Sequence, residues 1–283
     1  MGFVTVFARR PEWLKIRVPS GEKAAEVSGV LRRHGLRTVC RDARCPNVGE
    51  CWKAGTATVI LLGKFCTRGC AFCGIPTGAP TPPDFDEPER VAKAATELGW
   101  RHIVLTSVTR DDLPDGGAAH FAASVQALRK SSPSATIELL VPDFDGSIEA
   151  LRVVVDAAPD ILAHNMETVS RLYPTVRGGA VYARSLELIR RAASMCPGLP
   201  LKSGIMVGLG ETQEEVVAVF GDLYDAGCRL LTVGQYLPPS KGNFPLVEYL
   251  PPERFEAYAA IAREIGFEQI RSGPLVRSSY KPE

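Results

Sequence analysis

The chain lacks an excess of either charge: 33 lysines and arginines face 32 aspartates and glutamates, a formal net charge of +1. These totals suggest no basic stripe, so no nucleic-acid partner is expected. It also lacks any apolar run near the roughly 20 residues that span a bilayer, so no membrane partner is expected. Met1-Gly2-Phe3-Val4 opens the sequence without the charged, then apolar, then small pattern of a secretory peptide. There is no internal repeat and no low-complexity segment. What is present is a globular composition, 45% hydrophobic over 283 residues. That length accommodates one α/β barrel domain with extensions.

Six of the eight cysteines fall into two triplets between Cys40 and Cys73. The second triplet is C-x3-C-x2-C, within Cys66-Thr67-Arg68-Gly69-Cys70-Ala71-Phe72-Cys73, and no fourth cysteine follows closely. Three thiolates hold three irons of a [4Fe–4S] cube and leave the fourth without a protein ligand. An open iron can bind and reduce a small molecule, which a fully ligated electron carrier cannot. Structural zinc prefers four ligands in paired C-x2-C or C-x4-C spacing, and only one x2 pair is present. A disulfide framework suits short secreted chains rather than this one. The first triplet, Cys40, Cys45 and Cys51, has C-x4-C-x5-C spacing and again lacks a fourth ligand. Two clusters are therefore expected. Clustered reduced thiols also suit a reducing compartment, so a cytoplasmic location is expected. Cys196 and Cys228 lie far away and are expected to be small buried residues.

Residues 1–55 show no strand–helix alternation and read as an extension carrying the first triplet. A helix is expected over 22–34, ended by Gly35, and a loop over Cys40–Cys51. Residues 56–270 read as the main domain and 271–283 as a tail. Strands are expected at 59–62, 102–106, 136–141, 161–163, 201–207 and 229–233, as short apolar runs suited to a buried parallel sheet. Helices follow them; Ser147 reads as an N-cap, and Thr212 with Glu215 as a capping box. Six βα units fall short of the eight of a closed barrel.

The C-x3-C-x2-C spacing resembles the signature of the radical SAM superfamily. There the open iron chelates S-adenosylmethionine, whose reductive cleavage yields a 5′-deoxyadenosyl radical. The resemblance implies a partial (β/α)6 barrel, matching the six units. The paired triplets resemble, more narrowly, the lipoyl synthase family. Further stretches agree: Thr106 to Gly117, Val141-Pro142-Asp143-Phe144, His164-Asn165-Met166-Glu167-Thr168, Gly234-Gln235-Tyr236-Leu237 and Arg277-Ser278-Ser279-Tyr280. The likeness runs from about residue 12 to the end.

That resemblance implies a sulfurtransferase of lipoate biosynthesis and protein lipoylation. Two sulfur atoms enter the octanoyl chain of an octanoyl-lysyl lipoyl carrier domain, taken from the auxiliary cluster. Cys66, Cys70 and Cys73 would hold the SAM-binding cluster, and Cys40, Cys45 and Cys51 the auxiliary one. Ser279 would be the auxiliary cluster's fourth ligand, with Ser278 the alternative. Phe72 backbone and Met206 would lie on the adenine side. Thr106 and Ser107 would face the amino acid part of SAM, and Asn165 and Glu167 its ribose. A carboxylate and an amide suit a vicinal diol, because together they offer acceptors and a donor. Read without the resemblance, Asn165 and Glu167 also fit a helix-start cap, Asp111 and Asp112 fit turn formers, and Phe72 fits simple packing. The implied partners are a 2-oxoacid dehydrogenase E2 or glycine cleavage H protein as carrier, a low-potential donor such as flavodoxin or ferredoxin, and an iron–sulfur carrier. Another radical SAM sulfur-inserting enzyme, or a non-catalytic iron–sulfur electron carrier, are the other readings of the cysteines.

Overall fold

The computed structural model describes residues 10–15, 22–42 and 45–279. The chain divides into two compact units interleaved in sequence. One comprises Arg17–Thr67, Ile75–Ala163 and Ser279–Glu283, and the other Met1–Ile16, Arg68–Gly74 and His164–Ser278.

The first unit begins with helix α1 (Glu22–Arg33), strand β1 (Arg37–Thr38), and two short helices, α2 (Val39–Asp42) and α3 (Val48–Lys53). The expected loop at Cys40–Cys51 is helical at both of its ends, with the Cys51 N–H bonded to the Asn47 carbonyl at 3.0 Å. Strand β2 (Thr56–Leu61) follows, antiparallel to β1. All six of its residues are buried, which explains the apolar run. Then come α4 (Glu87–Leu98), β3 (His102–Ser107), α5 (Ala118–Ser131), β4 (Thr136–Leu140), α6 (Ile148–Asp156) and β5 (Ile161–Ala163). Strands β2, β3, β4 and β5 pair in parallel, in sequence order. Gly99 ends α4 in the left-handed region that a side chain disfavours. Ser147 caps α6 as its position suggests, accepting from the Ala150 N–H at 3.1 Å.

The second unit holds α7 (Tyr173–Val176), α8 (Tyr182–Met195), β6 (Leu201–Val207), α9 (Gln213–Asp225), β7 (Leu230–Gln235), α10 (Pro252–Ile265) and β8 (Gln269–Gly273). Strands β6, β7 and β8 pair in parallel. The capping box is present: Thr212 Oγ1 accepts from the Glu215 N–H, and Glu215 Oε2 accepts from the Thr212 N–H. Cys228 is buried just before β7, donates to the Leu201 carbonyl at 3.4 Å, and has its thiol pushed up to about 12 by desolvation. No helix among the described residues is long and apolar enough to cross a membrane.

The junction after β2 launches the chain towards Cys66. Leu62 there is a buried non-glycine residue with φ of +67°. Both of its backbone polar groups are held by side chains. Its N–H donates to Glu87 Oε2 at 2.9 Å, and its carbonyl accepts from Arg110 Nη1 at 3.1 Å. His120 Nε2 lies 2.7 Å from the same Glu87 oxygen. Gly117 makes room, since a Cβ there would fall 2.3 Å from Leu62 Cδ1. Glu87→Ala would strand a buried N–H and an imidazole. It is expected to destabilise the chain by about 1–3 kcal/mol, read as a lower urea midpoint at unchanged m. An unaltered midpoint would mean that the clamp contributes nothing.

Candidate active site

In the first unit, Cys66 is fixed on both sides of its peptide. Its N–H donates to the Pro76 carbonyl at 3.0 Å, and its carbonyl accepts from Gly78 at 3.1 Å. Its sulfur accepts the Thr109 N–H at 3.3 Å. Thr67 is latched beside it: its hydroxyl donates to the Thr109 carbonyl and lies 3.0 Å from Asp111 Oδ2. Asp111 and Asp112 therefore do more than form turns. Asp112 receives two 2.8 Å bonds from the guanidinium of Arg110, which is 1% exposed, and that charge holds its carboxyl below the usual range. Thr106 Oγ1 donates to the Leu140 carbonyl of the neighbouring strand at 2.8 Å, whereas the Ser107 hydroxyl is buried with no hydrogen-bond partner.

The same unit holds the first triplet. Cys40 is buried, and Cys45 and Cys51 are half-buried. The Cys45 N–H donates to the Cys40 carbonyl at 3.1 Å. Burial pushes the Cys40 thiol up, opposed by the Thr58 backbone, and the neighbouring Cys45 pushes it further up. Ser279 is half-buried and falls in this unit with the triplet, whereas Ser278 falls in the other. Tyr280 of the R-S-S-Y stretch lies outside the described residues.

In the second unit, the segment carrying Cys70 and Cys73 is gripped by two loops. The Ala71 N–H donates to Val176 at 2.9 Å, and Cys70 Sγ lies 3.9 Å from the Gly178 carbonyl. Gly178 is required there, because a Cβ would sit 2.9 Å from the Gly69 carbonyl. From the opposite loop, Asn243 Nδ2 donates to the carbonyls of Ala71 and Cys73 at 3.1 and 2.8 Å. Phe72, between them, is half-buried.

Asn165 and Glu167 meet in this unit, with Asn165 Nδ2 donating to Glu167 Oε1 at 3.0 Å. They do so without an extended chain, because Glu167 has φ of +66°. Its backbone is pinned to β6: the Glu167 N–H donates to Gly204 and its carbonyl accepts from Met206, both at 2.9 Å. Desolvation raises the Glu167 carboxyl, while Arg177 and the Asn165 amide pull it down. Gly204 has no space for a Cβ, which would meet Thr232 Oγ1 at 2.7 Å and Asn165 Oδ1 at 3.0 Å. Asn165 Oδ1 is buried and has no hydrogen-bond partner in the protein. Glu211, by contrast, accepts the N–H groups of Gly208 and Leu209 at 2.5 and 2.8 Å, so it closes the turn after β6.

Two residues of this neighbourhood escape sequence reading. Arg177 donates to the Tyr173 hydroxyl at 2.8 Å and to Ser185 at 3.1 Å, and its charge acts on both Glu167 and Cys70. Its one sequence signal is a cation ahead of Gly178-Gly179. Asn243 has none, being 170 residues from Cys73 along the chain.

The donors fit iron–sulfur clusters and S-adenosylmethionine. The six cysteines supply thiolate, the preferred ligand of such clusters. In the second unit the Asn165 oxygen is unpartnered and Glu167 strained, and in the first unit the Ser107 hydroxyl is unpartnered. Among the described residues, no group of three His, Cys, Asp or Glu side chains is arranged to hold one metal ion. A cube differs from such a site, because it offers each cysteine a different iron.

Residues 60–223 match the family described as the radical SAM superfamily. The crystal structure of Streptococcus suis SuiB bound to S-adenosylmethionine is similar in fold, with a TM-score of 0.59 at 12% identity over 88% of this chain and 60% of that one. The fold and cysteine loop thus define a radical SAM protein with its α/β barrel-type fold. The lipoyl synthase of Rubrobacter xylanophilus is 51% identical over 271 residues, 96% of this chain and 84% of that protein. That of Caldanaerobacter subterraneus subsp. tengcongensis is 53% identical over 272 residues, 96% and 95% of the two chains. The chain belongs to the lipoyl synthase family.

If Asn165 grips a ligand hydroxyl, Asn165→Ala is expected to weaken S-adenosylmethionine binding by about 1–3 kcal/mol. Cluster iron should stay at the wild-type level. Unchanged dissociation constants for Asn165→Ala and Glu167→Ala would return the pair to a purely structural part.

Proposed function

We propose that the protein is a lipoyl synthase, a radical SAM sulfurtransferase that inserts sulfur at two saturated carbons of an octanoyl group carried on a lipoyl domain. The observation that carries this reading is the pair of incomplete thiolate triplets in a chain about half identical, over nearly its whole length, to lipoyl synthases. An unactivated C–H bond offers no acid for a side chain to remove, so general acid–base chemistry fails and cofactor chemistry is needed. When bound, the two clusters and S-adenosylmethionine supply one-electron reduction, hydrogen-atom abstraction and sulfur.

The chain's own residues bind and orient. Cys66, Cys70 and Cys73 hold the first cluster with one iron open. The Thr109 N–H, bonded to the Cys66 sulfur, would orient that ligand. Asn165 and Glu167 would orient the ribose hydroxyls, Ser107 would face the amino acid part, and the Phe72 backbone and Met206 would border the adenine. Cys40, Cys45 and Cys51, with Ser279, hold the auxiliary cluster. The partners are a low-potential electron donor such as flavodoxin or ferredoxin, an octanoylated E2 domain or H protein as carrier, and an iron–sulfur carrier. The setting is the cytoplasm.

Anaerobic reconstitution tests this reading. With S-adenosylmethionine, dithionite and an octanoyl-lysyl peptide, the chain should release 5′-deoxyadenosine and consume the peptide. An electron carrier would do neither, and another sulfur-inserting enzyme would leave the peptide untouched.

A further inference from the structure

Asn243 stands on the loop between β7 and α10, and all of its side-chain valence is used. Its Oδ1 accepts from the Ser240 N–H at 3.0 Å and from the Ser240 hydroxyl at 2.8 Å. Its Nδ2 donates to the Ala71 and Cys73 carbonyls. Only this orientation of the amide is possible. Backbone carbonyls cannot donate and the Ser240 N–H cannot accept, so a flipped amide would lose three of the four bonds.

The loop that presents Asn243 is itself tied down. Gln235, at the end of β7, donates from Nε2 to Val207, Tyr236 and Glu248 carbonyls at 3.1, 3.2 and 3.1 Å and accepts the Leu250 N–H at 2.9 Å. Gly208 leaves space for that amide, since a Cβ would fall 2.3 Å from it. The Tyr236 hydroxyl donates to the Phe244 carbonyl at 2.8 Å, and the Phe244 N–H donates to Ala71 at 2.8 Å. The Gly234-Gln235-Tyr236 stretch thus holds both ends of a strap, residues 237–250, whose middle clasps the cysteine segment.

We propose that Asn243 is a positioning residue that, by bonding the carbonyls on both sides of Phe72, fixes the backbone face which the cysteine segment offers to the adenine of S-adenosylmethionine. The proposal rests on the reading of Cys70 and Cys73 as cluster ligands with the adenine at Phe72. The Phe244 N–H bonds the Ala71 carbonyl, and Asn243 bonds the carbonyls of both Ala71 and Cys73.

Asn243→Asp keeps the shape and removes both donors, setting a carboxylate against two carbonyls. In the cluster-free chain, amide hydrogen exchange over residues 68–74 should quicken by at least about tenfold, with exchange in α9 and α10 unchanged. In the reconstituted chain, first-cluster iron should be retained and the dissociation constant for S-adenosylmethionine should rise on the order of tenfold. Asn243→Ala should show the same loosening, and Ser240→Ala a smaller one, because the Ser240 hydroxyl only orients the amide. Unchanged exchange over 68–74, or unchanged affinity despite faster exchange, would overturn the proposal. Failure of the wild-type chain to bind S-adenosylmethionine would instead overturn the reading on which it rests.

Discussion

A Cys40→Ala/Cys45→Ala/Cys51→Ala variant is expected to hold about half the iron of the wild-type chain, still cleave S-adenosylmethionine, and make no lipoyl product. The wild-type chain should approach about eight irons and eight sulfides, four of each per cube. The two triplets are held by different supports. Cys66 is set by Thr109, Pro76 and Gly78, and none of these belongs to α2 or α3, where Cys40 and Cys51 lie. Removing the auxiliary thiols should therefore leave the S-adenosylmethionine site intact. Cys40 is buried beside β2, so its truncation carries a cavity cost of its own. A melting curve should accompany the iron assay. Loss of S-adenosylmethionine cleavage by a variant that remains folded would contradict this division of labour.

Ser279→Cys is expected to keep both clusters and S-adenosylmethionine cleavage yet yield little lipoyl product. Serine oxygen is a hard ligand where iron–sulfur clusters favour thiolate. The weaker ligand suits a cluster that must come apart to give up sulfur, and cysteine would hold that iron too well. Ser279→Ala should also lose product, with an auxiliary cluster that releases iron to a chelator faster than wild type. Normal lipoyl formation by Ser279→Ala would remove Ser279 from the mechanism. Normal formation by the double serine variant would remove the tail.

The six strands β2 to β7 are legible in the sequence, because each is a short apolar run set off by a cap or a glycine. Their boundaries differ by a few residues: β2 ends at Leu61, since Leu62 leaves the extended region. Strand β8 is not legible. Gln269-Ile270-Arg271-Ser272-Gly273 has one apolar residue, and its pairing with β7 comes from backbone groups the sequence does not advertise. The short helices at Cys40 and Cys51 escape for a related reason, because four- and six-residue helices are too brief for a period of 3.6 to register. At the site, spacing alone nominates the cysteines, since their chemistry is local in sequence. Asn165 and Glu167 read as a pair two apart on extended chain, yet they meet because Glu167 itself is left-handed. Arg177, Glu87 and Asn243 contribute through hydrogen bonds to backbone or to distant side chains, and no short motif encodes such a partner.

Sulfur from the cluster at Cys40, Cys45 and Cys51 should appear in the lipoyl group that this chain builds. The most direct test rebuilds the chain anaerobically with sulfide labelled by a heavy isotope, then runs a single turnover on an octanoyl-lysyl peptide with unlabelled S-adenosylmethionine. The peptide should gain two labelled sulfurs, with two 5′-deoxyadenosines released per product. A product carrying unlabelled sulfur, or 5′-deoxyadenosine released without any sulfur entering the peptide, would contradict it.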